Sequence, residues 1–125
     1  MGSTIVLTWS KLLPFGDEYL KNVESSGGVF RISRKDSDGK FYVVYIGGAS
    51  DMKKTLEDIL SGTNTDLPIK PEIDKGEHFA FKYANIVDVD TRKAIEKQLY
   101  KQYVPKYNIP LGEPTSSLDI KANLN

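Results

Sequence analysis

Residues 28–47 read GVFRISRKDSDGKFYVVYIG, and this stretch sets the expected centre of the fold. Two segments within it, Val29–Ser33 and Phe41–Ile46, are rich in the β-branched and aromatic residues that favour strands. The polar segment between them contains Asp38-Gly39, a dipeptide typical of tight turns between antiparallel strands. The sequence therefore predicts a β-hairpin here.

The sequence beyond the hairpin predicts two long helices and a third strand. A first helix is expected over Asp51–Leu60, with Gly62 just past its end. Phe79–Tyr83 alternates in polarity as a strand does, and a second helix is expected over Arg92–Tyr103, stopped by Pro105. Small α/β domains of many functions share this order of elements, so the order alone does not indicate a chemistry.

Composition limits the possible classes of protein. The chain has 125 residues, no cysteine and one histidine, which excludes disulfides, thiolate metal sites and multi-histidine zinc sites. We expect one domain over residues 1–110 and a polar tail over residues 111–125, ordered only if it docks. Neither a membrane-spanning segment nor a secretory signal is evident, so an intracellular protein is expected, cytoplasmic or associated with the nucleoid.

Three motifs within this frame together resemble the GIY-YIG nuclease superfamily. Gly28-Val29-Phe30 opens the first hairpin strand, Tyr45-Ile46-Gly47 closes the second, and residues 96–108 read EKQLYKQYVPKYN. Residues 45–56 and 96–108 are similar to the N-terminal nuclease domain of bacterial excision-repair incision proteins. The resemblance covers residues 28–108. It implies a GIY-YIG-like α/β domain, with a small, mostly antiparallel central sheet flanked by helices.

The resemblance also implies metal-assisted hydrolysis of a phosphodiester in nucleic acid, with DNA as the expected partner. Such sites need few protein groups, because positioning and charge stabilisation dominate phosphoryl transfer. Matched by position, Glu96 would hold Mg²⁺ or Mn²⁺, and Tyr45 is the tyrosine of the second motif, which helps to activate water. Asn108 is the asparagine that follows the last helix.

Two positions depart from the family pattern. Phe30 stands where the first motif has tyrosine, and it lacks the hydroxyl needed to exchange a proton. Thr55 stands where an arginine is expected to stabilise phosphate charge, although Arg31 or Arg34 could replace that arginine from the hairpin. The resemblance therefore implies either a weak enzyme with a partly degenerate site or a catalytically inactive nucleic-acid-binding module.

The residues taken alone leave other roles open. Glu96 lies at the edge of the apolar face of its helix, where a glutamate lines a pocket or simply faces solvent. Tyr45 suits a core position with its hydroxyl at the rim as well as it suits a site. Asn108 suits a brace for the chain after Pro105, and the glycines at 47 and 48 suit a tight turn as well as a phosphate site.

The zero net charge, 17 basic against 17 acidic residues, hides an uneven distribution. Lys93, Lys97 and Lys101 repeat every four residues on the last helix, which suits a phosphate backbone or an ordinary solvated face. Between Glu57 and His78 six acids face two lysines, so a protein partner for that segment is a third hypothesis. The candidate nucleic-acid contacts are Arg31, Arg34, Lys53, Lys54, Lys93, Lys97 and Lys101.

Overall fold

An antiparallel sheet forms the centre of the protein in the computed structural model, which describes residues 3–63, 67 and 69–124. Within those residues the sheet has four strands, β2 (Leu13–Pro14), β5 (Phe79–Asn85), β3 (Gly28–Lys35) and β4 (Phe41–Ala49), in that order across the sheet. The predicted hairpin of β3 and β4 is confirmed, and β4 is an edge strand of the sheet.

The helices lie on both sides of this sheet. They are α1 (Asp17–Leu20), α2 (Met52–Ser61), α3 (Ile69–Asp74) and α4 (Val89–Tyr103), followed by a short 3₁₀ helix over Ile109–Leu111. In the described part of the chain, none of the helices has the length and apolar character needed to cross a membrane. The predicted fold class, an α/β domain with a small antiparallel sheet between helices, is confirmed.

Capping residues explain where the two long helices begin. The carboxylate of Asp51 accepts a hydrogen bond from the Lys54 amide, so α2 is capped by Asp51. Asp88 accepts from both the amide and the hydroxyl of Thr91, and α4 therefore begins earlier than the apolar pattern predicts. Gly62 ends α2 in the left-handed conformation at φ 84°, as expected for a glycine at this position.

The segment between α2 and β5 is more ordered than predicted. A loop is expected from the two prolines after Gly62, but Ile69–Asp74 forms α3, and Ile69 is fully buried against α2. Residues 64–66 and 68 of this acidic segment lie outside the described residues. The helix forms because Ile69 supplies apolar surface to the core, which local sequence pattern does not reveal.

Each face of the sheet buries its own apolar cluster. On one face Phe30, Ile32 and Phe81 pack with residues of the first three helices, chiefly Leu20, Met52, Leu56 and Ile59. On the other face Val29 and Ile46 pack with Ile95 and Leu99 of α4. Each such side chain contributes about 1.5–3 kcal/mol when fully buried, so both faces fix the position of the strands between them.

An irregularity in β4 changes which face its side chains use. Ile32 pairs with Tyr45 but Ser33 pairs with Val43, so Val44 is an extra residue, a β-bulge. Strict alternation along a regular strand would place Val43 and Tyr45 on the same face. Because of the bulge, Val43 packs with α4 while Tyr45 packs with Phe30 on the opposite face.

The two ends of the described chain join each other beside α4. Strand β1 (Ser3–Thr4) pairs in parallel with β6 (Ile120–Lys121), and the side-chain amide of Asn123 accepts from the Leu7 amide and donates to the Leu7 carbonyl. Ile120 is only 6% exposed. The polar segment after residue 110 therefore docks on the domain. The division at residue 110 itself stays a prediction.

We expect Asn123→Ala to lower the free energy of unfolding by about 1–2 kcal/mol, because the backbone of Leu7 loses both side-chain partners. Urea denaturation followed by tryptophan fluorescence measures the change. Asn22→Ala, at an exposed position, is the matched control and should change stability by less than about 0.5 kcal/mol. Equal effects of the two changes would show that the hydrogen bonds of Asn123 to Leu7 contribute nothing to stability.

Candidate active site

Gly47 leaves room for two aromatic rings at the end of β4. A Cβ atom added to Gly47 would lie 2.8 Å from Cζ of Phe30 and 3.1 Å from Cε2 of Tyr45. The ring centroids of Phe30 and Tyr45 are 6.0 Å apart. Phe30 is 1% exposed, whereas Tyr45 is half-buried. The first motif therefore supplies a buried ring, and the second supplies a tyrosine at the edge of the sheet.

Gly48 leaves room for Glu96 on the other face of the same strand. A Cβ atom added to Gly48 would lie 2.6 Å from Oε2 of Glu96, so any side chain at this position would displace the carboxylate. Gly48 pairs with Val29 of β3, and the neighbouring residues of α4 are fixed by the core beneath it. Tyr45 and Glu96 therefore reach adjacent glycines of one edge strand, from opposite faces.

The carboxylate of Glu96 is half-buried and has no hydrogen bond or ion pair with any residue that the structure describes. Burial raises the pKa of Glu96, and the nearby charges of Arg92 and Lys93 partly oppose this rise. Partial burial without a hydrogen bond from the described residues makes the ionised carboxylate less favourable in the folded protein than in water. Both of its oxygens remain available to an added cation.

This arrangement fits one hydrated divalent cation and no more elaborate metal site. Throughout the described ranges, no group of three or more metal-ligating side chains is found. Mg²⁺ usually keeps several water ligands and binds proteins through one or two carboxylates. The available carboxylate of Glu96 is the group that would hold such a cation, Mg²⁺ or Mn²⁺.

The side chain of Asn108 lies beside the site, because it is hydrogen-bonded to the backbone of Ile46, the middle residue of the second motif. Its Oδ1 accepts from the Ile46 amide at 2.7 Å, and its Nδ2 donates to the Ile46 carbonyl at 2.8 Å. The amide of Tyr107 donates to the carbonyl of Val44. The chain after α4 thus covers the edge of β4 as a further strand would, and Asn108 braces the tyrosine-bearing strand.

The position of the expected arginine offers no cation. Thr55 lies in the first turns of α2, partly exposed, and its amide donates to the Asp51 carbonyl. Lys53 and Lys54 flank the early part of this helix, but Lys53 donates to the Lys21 carbonyl and Lys54 pairs with Asp58. These lysines therefore have partners of their own on the surface of α2.

Arg31 requires a correction, because it was predicted to contact nucleic acid or to replace the missing arginine. It is 6% exposed, and its guanidinium carbon lies 4.8 Å and 5.5 Å from the ring centroids of Trp9 and Tyr103. It donates to the Tyr103 hydroxyl and to the Leu124 carbonyl, and desolvation lowers its pKa. In this conformation Arg31 supports the joined chain ends and is not accessible to a phosphate.

Arg34 does not supply the missing charge to the site either. Its Nη2 lies 3.2 Å from Oε1 of Glu77 and 3.8 Å from Oε2 of Glu72, so two carboxylates share its charge. It pairs across the hairpin with Tyr42, several residues along the strands from Gly47 and Gly48. The structure thus places both hairpin arginines in other environments.

The lysines of α4 lie along one side of that helix. Lys93 is exposed and makes no hydrogen bond or ion pair with the described residues, whereas Lys97 donates to the Ser116 carbonyl. Lys101 lies 3.9 Å from Glu113. Lys93 therefore remains available near Glu96, and the other two contact the segment after residue 112.

Arg92 is a site neighbour that the sequence analysis did not select. It is 8% exposed, and its Nη1 donates to the carbonyls of Ile86 and Val87. A Cβ atom added to Gly27 would lie 2.5 Å from this nitrogen. The signal in the sequence was the spacing of Arg92 and Glu96, one helical turn apart, but burial of an arginine cannot be inferred from spacing.

Comparisons with known proteins agree with this fold. No protein-family model matches the chain. UvrABC system protein C of Shewanella halifaxensis is 33% identical over 101 residues, covering 80% of this chain and 15% of that protein. The protein of the same name from Aliivibrio fischeri is 30% identical over 99 residues, covering 78% of this chain and 15% of its own. The chain thus spans about 15% of the length of these curated relatives.

A solved structure with a similar fold is the GIY-YIG N-terminal endonuclease domain of UvrC from Thermotoga maritima, bound to its catalytic divalent cation, magnesium. It matches with a TM-score of 0.57 at 21% identity, covering 73% of this chain and 92% of that domain. A point mutant of the same domain, bound to its catalytic divalent cation, matches with a TM-score of 0.57 at 20% identity, covering 72% and 90%.

The fold matches that of a GIY-YIG domain and the relatives by sequence agree with it, which confirms the resemblance predicted from the three motifs. More particularly, the chain is homologous to the N-terminal region of UvrC, the UvrABC system protein C. The fold of that domain is therefore shared.

We expect Asn108→Ala to lower the free energy of unfolding by about 2–3 kcal/mol, because two buried backbone groups of Ile46 lose their partners. Chemical denaturation measures this loss. Asn85→Ala removes a single exposed contact from Ser26 and should cost less than about 0.5 kcal/mol. A stable Asn108→Ala variant would exclude the bracing role.

We expect Glu96→Gln to raise the melting temperature of the metal-free protein at pH 7. The pKa of Glu96 is raised in the folded state, so ionisation of this buried carboxyl opposes folding at neutral pH. The advantage of glutamine should shrink as the pH falls through the raised pKa and vanish below about 4.3, the unfolded value.

Thermal melts at several pH values in EDTA measure this profile, with Glu57→Gln, an exposed glutamate of α2, as the control. A lower melting temperature of Glu96→Gln at pH 7 would mean that the carboxylate makes a stabilising contact, contrary to its environment in the structure.

Proposed function

We propose that this domain binds nucleic acid, DNA foremost, inside the cell and hydrolyses its phosphodiester bonds slowly with Mg²⁺ or Mn²⁺. The observation that carries the proposal is Glu96, a half-buried carboxylate without a hydrogen-bond partner among the described residues, seated on Gly48. A carboxylate held in this way is unfavourable for folding unless a cation is bound, and such unfavourable groups concentrate at functional sites.

Each residue has a distinct part in the proposed reaction. Glu96 holds the cation, which when bound polarises a phosphate oxygen and acidifies water. Tyr45, at the edge of the sheet, would orient the attacking water through its hydroxyl, and only its phenolate form could take the proton that this water loses. Asn108 holds the strand of Tyr45 in place through Ile46. Lys93, exposed and near Glu96, attracts the phosphate chain.

The same site explains why the activity should be slow. Phe30 is buried and has no hydroxyl, and Thr55 has no charge. The loss of one preorganised donor to a transition state costs about 10²–10³ in rate. Because Arg31 and Arg34 have partners elsewhere, the missing charge is not replaced from the hairpin.

A catalytically inactive binding module is the second candidate function, and the same two substitutions favour it. In that case the domain would keep the lysines of α4 and use them for nucleic acid without cleavage. The two candidates differ in one measurable respect, since only the first requires the carboxylate of Glu96 for product formation.

The test is a cleavage assay on duplex, branched and single-stranded DNA with Mg²⁺ or Mn²⁺. We expect slow cleavage that Glu96→Ala abolishes and that Glu57→Ala, the matched exposed glutamate, leaves unchanged. Restoring both family residues, in the variant Phe30→Tyr with Thr55→Arg, should raise the rate by at least about 10²-fold. If the wild type and the double variant both bind DNA but do not cleave it, the inactive module is favoured. If neither of them binds DNA, both candidate functions are rejected.

A further inference from the structure

Residues 113–118, which we name the strap, run along the lysine side of α4. Nζ of Lys97 donates to the carbonyl of Ser116 at 3.2 Å, and Nζ of Lys101 lies 3.9 Å from Oε1 of Glu113. The strap therefore engages two of the three lysines that repeat along the helix. These are the groups that a phosphate backbone would use on this face.

Both ends of the strap are anchored to the domain. Before it, the amide of Gly112 donates to the carbonyls of Asn108 and Ile109, which fixes the end of the 3₁₀ helix. After it, Ile120 is 6% exposed in the cluster beneath α4, and the side chain of Gln98 donates to the Ile120 carbonyl. The strap is thus held in place by its ends.

The strap itself is packed loosely. Four of its six residues are exposed, and Pro114 and Ser116 are only partly buried. Two open clefts separate it from α4, one of about 420 Å³ lined by Lys97 and the other of about 350 Å³ lined by Asp90 and Lys93. One hydrogen bond and one exposed ion pair contribute little free energy, so the strap can leave the helix without unfolding its anchors.

We propose that the strap is a displaceable cover on the lysine face of α4, and that the phosphate backbone of nucleic acid binds this face by displacing it. This inference rests on the proposed function, because the strap would regulate the binding of nucleic acid to the domain. A phosphate chain that approaches Lys97 and Lys101 along this side of α4 meets the strap, whose Glu113 carboxylate repels it. The apparent affinity for nucleic acid is proportional to the fraction of molecules in which the lysine face is open, so a strap that is mostly closed lowers this affinity.

The first experiment weakens the strap without removing its anchors. Glu113→Gln removes the ion pair to Lys101, and Asp119→Asn removes one negative charge from an exposed neighbour that makes no hydrogen bond or ion pair with the described residues. Both changes alter the net charge equally. Binding of a short fluorescent duplex DNA is measured in EDTA at low salt, so that no cleavage occurs.

We expect Glu113→Gln to bind this DNA about two- to fivefold more tightly than Asp119→Asn does, the range that corresponds to an exposed ion pair. The difference should disappear at high salt, where the ion pair and the phosphate contacts are both screened. Equal affinities of the two variants for this DNA at low salt would contradict the proposal that the strap covers the lysine face.

The second experiment follows the strap directly. The chain has no cysteine, so Ser117→Cys, at an exposed strap position, provides a unique attachment point for an environment-sensitive fluorophore. DNA should shift the emission of this label and increase protease cleavage within residues 113–118. Reduced protease cleavage of the strap in the presence of DNA, or unchanged emission of the label at saturating DNA, would contradict the proposal that DNA displaces the strap.

These outcomes separate the two proposals. If neither the wild type nor Glu113→Gln binds DNA, the proposed function fails, and the strap loses its ligand with it. If Glu113→Gln and Asp119→Asn bind DNA equally well and the label does not respond, nucleic acid binding stands and the strap alone is rejected.

Discussion

Two adjacent glycines in an edge strand are the constraint on which the rest of the site depends. Gly47 and Gly48 carry no side chains, and their neighbours on opposite faces occupy the vacated space. Phe30 and Tyr45 fill one side, and Glu96 fills the other. Side chains on opposite faces of a sheet are normally kept apart, but at an edge strand side chains from both faces can lie at the same edge of the sheet. The site therefore needs both glycines, an edge position and helix α4.

The remaining parts of the structure hold this border in position. Asn108 bonds to both backbone groups of Ile46, the residue between Tyr45 and Gly47, and so prevents the edge strand from moving relative to the end of α4. Apolar packing beneath α4 fixes the angle at which Glu96 approaches. The carboxylate itself gains no hydrogen bond from the described residues, so the fold supplies rigidity around a group that does not stabilise the fold.

The sequence allowed prediction of the hairpin, the two long helices, and the three motifs that carry the resemblance. These features are local, because strand propensity, turn residues and helix-ending glycine act over a few neighbours. The bulge at Val44 could not be predicted, since it depends on how β3 and β4 pair, and it decides the face of Tyr45. The burial of Arg31 depends on Trp9, Tyr103 and Leu124, which are distant in sequence, so its charge alone suggested an exposed contact.

The electrostatic balance of the chain follows from the same long-range contacts. Arg34 is shared by two glutamates, and Lys97 and Lys101 contact the strap, so these three cations have internal partners. Lys93, near Glu96, has no such partner within the described chain. A divalent cation bound at Glu96 would outweigh the negative charge of that carboxylate and add to the field of Lys93. Phosphate attraction would then depend on metal loading and on strap position far more than on net charge. A chain with equal numbers of acidic and basic residues can in this way present a polyanion-binding face, and a metal bound at Glu96 would strengthen it.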